Sequence, residues 1–538
     1  FIGDNIVTFI RIFAQLSFSK NHLRSVFLYT FAQFPLRNIV VRQPNVKNIA
    51  AYTANEKHLI NIPDAYDSTK FDFSGAKAFD KANDYRTTSV LAVPLLNNNQ
   101  DVIGVLQLLN AQDKETGEVI PFDEQIVPLI EALTSQAAVA LENALLLEAQ
   151  KKLFRSFINL ISSAIDAKSP YTGGHCQRVP ELTMMMVDAA TEVTTGPFAD
   201  YSLTPEKREE IEIAAALHDC GKVTTPEYVV DKATKLETIY NRLHEIRIRF
   251  EVVKRDVEID YLNQIIEGGD KDALMATRDE KLAKLDDDYA FIAETNMGGE
   301  FMAPERIERV KEIATQTWTR TLDDRMGVSY EEAVRYKRTE PKQLPVQENL
   351  LSDREDHIMY REEGETALYE KGNEYGFLLD VPEHRYNMGE VYNLCIARGT
   401  LTAEERFKIN DHIVQTIIML NQLPFPKHLQ NVSEIAGGHH EKMDSTGYSM
   451  KLKREEMGLE ARIMAIADIF EALTAADRPY KEPKPLSACI KIMSFMKKDA
   501  HIDAELFDLF LTSGVYKKYA ERFIGSNQLD DVDISEYL

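Results

Sequence analysis

The sequence predicts a multidomain protein: an α+β domain with an antiparallel sheet, a long connecting helix, and an all-α region carrying a helical insertion. Three observations predict it. Two apolar runs flank an asparagine-rich tip between Val90 and Leu109, an apolar seam with steps of four and three runs from Ile126 to Ile165, and beyond Ile165 the chain reads as helix after helix. At 538 residues the chain is too long for one core, and about three domains are expected.

Val90 to Leu96 is a short apolar run ending in Asn97-Asn98-Asn99, and Val102 to Leu109 follows at once. Such a pair reads as an antiparallel hairpin. With Ile60-Asn61-Ile62-Pro63-Asp64-Ala65-Tyr66 upstream, residues 5–145 resemble a GAF domain, an α+β sensor module flanked by helices, assigned here to residues 1–124. GAF domains that bind cyclic nucleotides carry an Asn-Lys…Phe…Asp-Glu pattern. Here Asn110 is followed by Ala111, with Phe122-Asp123-Glu124 later. The resemblance therefore leaves two uses open, ligand sensing and ligand-free dimerisation.

The seam comprises Ile126, Ile130, Leu133, Ala137, Ala140, Ala144, Leu147, Phe154, Ile158, Ile161 and Ile165, with Lys151 the one break. It assigns residues 125–165 to a linker helix of roughly 60 Å at 1.5 Å per residue. Burial within one subunit and pairing in a parallel homodimer both explain an apolar stripe. The strict 3.5-residue period favours the dimer, with the helix joining sensor to output.

Residues 166–538 form the all-α part. Glu206 to His218 reads as an amphipathic helix stopped near Gly221, a residue tolerant of left-handed dihedrals. Leu459 to Ala476 reads as another, with Asp468 inside the apolar run Ile466-Ala467-Asp468-Ile469-Phe470. Between about 236 and 393 lies an acidic, helix-rich stretch with the single tryptophan, Trp318, and no cluster of ligand-type residues. It is expected to be an insertion.

Composition narrows the function. Hydrophobic content of 44% and charged content of 28% describe a globular protein. Cys176, Cys220, Cys395 and Cys489 lack CxxC spacing, which indicates neither a disulfide framework nor a zinc ribbon and fits a reducing cytoplasm. A net charge of −24 argues against a nucleic-acid polymer as partner, so an anionic substrate would need a local site made by metals and a few cations. No apolar run reaches the length of a membrane span. The chain starts at Phe1 without Met, and an upstream segment, a membrane span included, is compatible with it.

The chemistry is concentrated in a few strings. His218-Asp219-Cys220-Gly221-Lys222 places an imidazole beside a carboxylate, and His439-His440-Glu441 supplies two adjacent imidazoles. With His175, His412 and Asp468 these offer enough nitrogen and oxygen ligands for two divalent metals. Asp468 on an apolar helix face would be costly unless paired or metal-bound.

These strings resemble the HD-GYP family of the HD metal-phosphohydrolase superfamily. Tyr171-Thr172-Gly173-Gly174-His175-Cys176-Gln177-Arg178-Val179 matches the first family motif, the His218 to Lys222 string with Pro226 the second, and Glu404-Glu405-Arg406 through His412 the third. Gly438-His439-His440-Glu441 through Tyr448, then Ala467 to Thr474 and Arg478-Pro479-Tyr480-Lys481, complete the series. The resemblance implies a phosphodiesterase acting on a bacterial cyclic dinucleotide, cyclic di-GMP or cyclic GMP-AMP, under control of the GAF domain. It leaves room for a weakly catalytic effector that binds the dinucleotide, or a hydrolase of another phosphate ester. His175, His218, Asp219 and Asp468 would hold one metal, and Asp219 would bridge to a second held by His412, His439 and His440. Iron or manganese suits such mixed ligation. Family members with a third metal carry a glutamate where Tyr171 stands, so two are expected. Lys222 would neutralise charge on the phosphoryl oxygens, and Arg478, Lys481, Tyr448 and Arg178 would contact substrate. The family reads Asp-Gly-x-Gly-Tyr-Pro where this chain has Asp444-Ser445-Thr446-Gly447-Tyr448-Ser449, so a different loop backbone is expected.

Overall fold

The computed structural model describes residues 6–13, 28–35, 44–168, 174–476 and 483–538. It divides into two units, Phe1–Ser156 and Phe157–Leu538. The first holds β1 (Ile6–Phe13), β2 (Leu28–Pro35), α1 (Ile49–Glu56), β3 (Ile60–Ile62), α2 (Ser74–Asn83), β4 (Val90–Leu96) and β5 (Val102–Leu109). They form one five-stranded sheet in the order β2-β1-β5-β4-β3. Pairing is antiparallel except between β1 and β5, which run parallel. The hairpin turns where the asparagines stand: the Asn97 side chain accepts from Asp101 N at 2.8 Å, and Gln100 takes φ 63°.

The unbroken apolar run of β4 has a structural cause. Val90 and Ala92 pack with Ile49, Ala50, Phe71 and Phe73 on one face, while Leu91 and Val93 pack with Phe122 and Ile130 on the other. A strand covered on both sides needs no polar alternation. Asn110, from the partial nucleotide-binding pattern, accepts from Thr88 N at 2.6 Å and donates to Arg86 O at 2.7 Å. Its amide ties the end of β5 to the segment that leads into β4.

A short ribbon of β6 (Ala111–Gln112) and β7 (Val119–Ile120) leads into α3, a 42-residue helix from Val127 to Lys168. The seam divides along it. Ile158 and Ile165 are buried, whereas Leu133 and Leu147 are 57% and 60% exposed. Leu129, Leu146, Leu153 and Leu160 are exposed as well, so the uncovered apolar face is broader than the seam.

The second unit begins on the last turns of α3. There Ser162 Oγ donates to Ala216 O at 2.7 Å and Lys168 Nζ to Lys222 O at 2.9 Å. Next come α4 (His175–Thr191), α5 (Pro205–Leu217), a 3-10 turn at Cys220–Thr224, and α6 (Glu227–Val230). After them lie α7 (Leu243–Ile266), α8 (Lys271–Asn296) and α9 (Pro304–Ala314). Strands β8 (Thr317–Arg320) and β9 (Val346–Asn349) flank α10 (Tyr330–Tyr336), and β10 (Ile358–Met359) pairs with β11 (Tyr386–Asn387). These two ribbons correct the reading of this stretch as wholly helical. Runs of two to four residues are too short for their alternation to register as strand. The closing helices are α11 (Glu390–Leu394), α12 (Ala403–Asn421), α13 (Val432–Gly437), α14 (Leu459–Thr474), α15 (Leu486–Lys498), α16 (Ala504–Thr512) and α17 (Val515–Phe523).

Residues 236–394 enclose a hydrophobic core of their own, built on Leu236, Ile246, Phe250, Ile292, Val310, Leu350 and Leu394. Two polar ties fasten this stretch to α12. Lys232, just before it, donates to both oxygens of Glu405 at 2.8 and 2.7 Å, and the Tyr369 hydroxyl donates to Asp411, beside His412. Breaking such a buried pair by removing one partner costs about 3–5 kcal/mol.

Candidate metal centre

Three helix ends and the middle of α12 deliver four of the ligands. His175 is the first residue of α4, entered through Gly174 at φ 88°. His218 ends α5, a helix started by the Thr204 side chain capping Lys207 N and by Pro205. His412 lies on α12, started by a Thr402–Glu405 capping box, and His439 follows α13. Gly221 brings two of these together: a Cβ there would lie 1.9 Å from His412 O and 2.6 Å from Thr416 N. Its φ is not left-handed, so close packing rather than helix termination explains the glycine.

Three histidines are held alike. His218 Nδ1 donates to Ala215 O at 2.7 Å, His439 Nδ1 to Ala436 O at 2.6 Å, and His412 Nδ1 to Ile409 O. Each bond reaches back three residues and fixes the tautomer, leaving the Nε2 lone pair aimed inward. His175 is oriented by a carboxylate instead. Its Nδ1 donates to Glu471 Oε2 at 2.6 Å, and Glu471 is clamped by Arg178 Nε at 2.8 Å.

The inward atoms converge. His175 Nε2 lies 3.1 Å from Asp219 Oδ2, 3.3 Å from Asp468 Oδ1 and 3.3 Å from His218 Nε2. Asp219 Oδ1 lies 3.2 Å from His412 Nε2. His175, His218 and Asp219 form one group with ligand atoms within 4.8 Å of one another, and His412, His439 and His440 form a second. His440 stacks on Tyr448, with centroids 4.9 Å apart and planes at 22°.

Asp219 Oδ1, His412 Nε2 and His439 Nε2 are buried acceptors without a donor. Leaving such atoms unpaired is costly, and two acceptors 3.2 Å apart repel unless a cation lies between them. The donor set therefore fits divalent metal. Electrostatics agrees. Burial would raise the Asp219 carboxyl, yet Lys222 and His218 hold it well below the usual range. Asp468 is likewise held low against burial by His175. Burial would lower His175, but the carboxylates of Asp219, Asp468 and Glu471 push it well above its ordinary value. Burial and the neighbouring His218 push His439 down to about 4.

The remaining expected site residues divide. Lys222 Nζ bonds Asp219 Oδ2 and stands at the centre. Arg178 is engaged with Glu471 and so supports the carboxylate that orients His175. Tyr171, Arg478 and Lys481 lie outside the described residues. In the loop Asp444 to Ser449, Ser445 adopts φ 60°, so the left-handed backbone expected of glycine persists with serine there. A Cβ at Gly447 would meet Glu441 Cα at 2.5 Å, so glycine is required there.

Sequence reasoning missed two residues. Glu471 orients His175; its signal was a second acid three residues after Asp468 on an apolar helix. Glu441 accepts from Met450 N at 2.6 Å, Lys451 N at 3.1 Å and Leu452 N at 3.0 Å, folding the loop back beside the histidines. Nothing in its one-dimensional context marks that role.

Comparison with known proteins agrees with this geometry. Family models described as HD domain match residues 172–289 and 345–506, and a GAF domain model matches residues 20–141. The first HD match contains His175, His218 and Asp219; the second contains His412, His439, His440 and Asp468. Similar proteins include the "Probable cyclic di-GMP phosphodiesterase" of Vibrio cholerae serotype O1, 35% identical over 129 residues, or 22% of this chain and 28% of that protein. The 3'3'-cGAMP-specific phosphodiesterase 1 of the same organism is 35% identical over 113 residues, 21% of this chain and 25% of that protein. The cyclic di-GMP phosphodiesterase of Thermotoga maritima is 39% identical over 93 residues, 17% and 25% respectively. The matches thus span about a quarter of each relative's length. Among the described residues no helix is long and apolar enough to cross a membrane. The chain thus carries a GAF domain followed by HD-domain sequence that contains the ligand residues.

Proposed function

We propose that the protein is a metal-dependent phosphodiesterase that opens a cyclic dinucleotide, cyclic di-GMP or 3'3'-cyclic GMP-AMP. The observation that carries the reading is the set of orphaned acceptors, Asp219 Oδ1, His412 Nε2 and His439 Nε2, facing one another in a buried site. His175, His218, Asp219 and Asp468 would hold one ion, and Asp219, His412, His439 and His440 a second. Iron or manganese suits the mixture of imidazole and carboxylate. Two such ions supply a nucleophile at neutral pH and polarise the scissile phosphate. Around them the chain's own groups act. Asp219 offers one oxygen to each side, Glu471 fixes the His175 ring, and Lys222 offsets charge building on the phosphoryl oxygens as a ribose oxygen leaves. Tyr448 shields one face of His440. Arg478 and Lys481 are proposed to hold the second phosphate.

Residues 236–393 are proposed as an insertion, a reading supported by their separate core. Residues 125–165 are proposed to pair in a parallel homodimer, supported by the exposed leucines of α3. GAF control would pass down this helix, whose Lys168 touches the turn of Lys222. Such a signal must bind two states with different affinity. Lysine at both Ile130 and Leu133 should weaken the dimer, as light scattering would read; a monomeric wild type refutes it.

The deciding experiment is turnover of both dinucleotides by protein loaded with iron or manganese, with products and metal content measured. Hydrolysis with two ions per chain is expected. Binding without hydrolysis would make the protein an effector.

A further inference from the structure

Among the described residues two lysines are buried, Lys232 and Lys235, and their surroundings differ in charge. Lys232 is neutralised by both oxygens of Glu405. Lys235, only 2% exposed, pairs with no carboxylate among the described residues. Its Nζ donates to Leu394 O at 2.8 Å and to Met302 Sδ at 3.2 Å. A carbonyl and a thioether solvate an ammonium without cancelling its charge, and a buried charge without a counter-ion is costly. Burial pushes the Lys235 pKa down to about 8, with Arg306 adding to the fall against an opposing Cys395.

This ammonium lines a cavity of about 370 Å³ that no metal ligand touches. The cavity lies where the proposed insertion meets the segment leading into α12. The end of α8, residues 297–302 and Arg306 of α9 form one side, and Ile396 and Ala397 form the other. Backbone bonds tie these walls together: Lys235 N to Asn296 O at 2.8 Å, Met302 N to Ala397 O at 2.9 Å, and Gly399 N to Gly299 O at 2.8 Å. The cavity is therefore preformed.

Three charged groups line it, Lys235, Arg306 and Glu294. Arg306 Nη2 reaches Glu294 at 3.1 Å and Thr295 Oγ1 at 3.4 Å, and its guanidinium sits 4.7 Å from the Phe291 ring centre. Glu294 thus offsets Arg306, and Lys235 leaves the cavity one positive charge in excess. Such a site suits a monoanion, since a dianion would bring surplus negative charge beside Glu294. At the rim, Met297 and Phe301 present exposed apolar surface. Apolar walls around a few fixed polar groups are the usual layout of a small-molecule pocket, and the volume is near the lower end of the range, about 300 Å³.

We propose that this cavity binds a small monocarboxylate, with its carboxylate between Lys235 and Arg306 and its apolar body against Met297 and Phe301. The assignment is independent of the phosphodiesterase reading. It places a ligand three residues along the chain from Lys232, which grips the start of α12 through Glu405.

The test is calorimetric titration of the full chain with hexanoate and with phenylacetate, against hexanamide and phenylacetamide as uncharged counterparts. At least one carboxylate should bind saturably at one site per chain. Its amide should bind about 10- to 100-fold more weakly, the loss that accompanies one charge-assisted hydrogen bond. Lys235→Met keeps a straight apolar side chain and removes the charge, and Arg306→Gln alters a partly exposed group. Each variant should weaken the carboxylate by a similar factor and the amide by less. Affinity for the carboxylate should fall from neutral pH to about pH 9 as the ammonium loses its proton, and the fall should vanish in Lys235→Met. If thermal melting shows that Lys235→Met does not fold, Arg306→Gln and the wild-type pH profile still decide. Saturable binding by neither carboxylate overturns the site, as does binding that the variants leave unchanged. Equal affinity for acid and amide overturns the anion assignment and reduces the cavity to an apolar pocket.

Discussion

The half of the centre around His175 surrounds its imidazoles with carboxylates, whereas the half around His440 is built of histidines alone. The consequence is visible in their charge. Asp219, Asp468 and Glu471 hold His175 well above its ordinary pKa although burial opposes them. Burial together with His439 and His412 pushes His440 well below its own. The carboxylates therefore favour the charged form of His175, whereas His439 and His440 are pushed toward the neutral form and offer lone pairs. What joins them is one residue. Asp219 is the carboxylate the histidine half borrows, through Oδ1 at 3.2 Å from His412.

The largest effect should follow from removing that shared group. Asp219→Ala is expected to empty both halves and bring turnover to background, measured by metal analysis and dinucleotide hydrolysis. Asp468→Ala should empty the acid-rich half alone. If Asp219→Ala kept the ion of the histidine half, the borrowing would be wrong.

Lys222 tests the same comparison from outside the ligand set. Its ammonium bonds Asp219 Oδ2, on the acid-rich side. Lys222→Ala should leave both ions in place and lower kcat/KM by about 10²–10³-fold, the usual loss for one charge-stabilising donor. Equal residual activity in the Asp219 and Lys222 variants, with metals retained in both, would remove the distinction between bridge and charge.

Glu471→Gln sharpens it further. The amide keeps the shape but loses the charge that orients His175 and balances Arg178. Metal affinity of the acid-rich half should fall about 10–100-fold, the common cost of losing such a partner. A chelator titration with two phases should show one phase move. Movement of both, or a change in melting temperature alone, would reduce Glu471 to a structural role.

How far the sequence foretells this centre differs by kind of residue. His218, Asp219, His412, His439 and His440 stand in short strings whose chemistry is readable in place. Glu471 is unreadable, because its function arises from α14 packing against α4, residues nearly three hundred apart in the chain. The same holds for Gly221, whose neighbour is His412 O, and for Arg178, whose partner is Glu471. The fold divides likewise. The β4–β5 hairpin is legible because apolar runs and an asparagine tip are local signals. The ribbons β8–β9 and β10–β11 are hidden because each strand is too short to show a period and pairs across a long loop. The seam of α3 is legible as a period, but which of its residues one chain buries depends on what the helix meets, as at Ile158 and Ile165.

Asp503 supplies the smallest effect on the chemistry and a control for the centre. It is as buried as Asp219, yet it is fully paired. Arg454 Nε donates to it at 2.9 Å, Arg462 donates as well, and Glu505 N and Leu506 N reach its other oxygen at 3.0 and 3.2 Å. Burial would raise this carboxyl, but the two arginines and the Leu506 amide hold it below the usual value. Its folded pKa therefore lies under the unfolded one, near 3.9. The stability it contributes is fully present above about pH 4 and is lost as pH falls through the folded value. Asp503→Asn should cost about 2–3 kcal/mol at neutral pH, toward the low end for a buried pair because Arg454 is partly exposed. Denaturant titration should find the gap between wild type and variant closing in acid. Metal content and turnover per folded molecule should not change. A gap that widened in acid would reverse the sign of the linkage. Loss of metal in the Asp503 variant would mean that a paired carboxylate and an orphaned one are not distinct kinds of residue here.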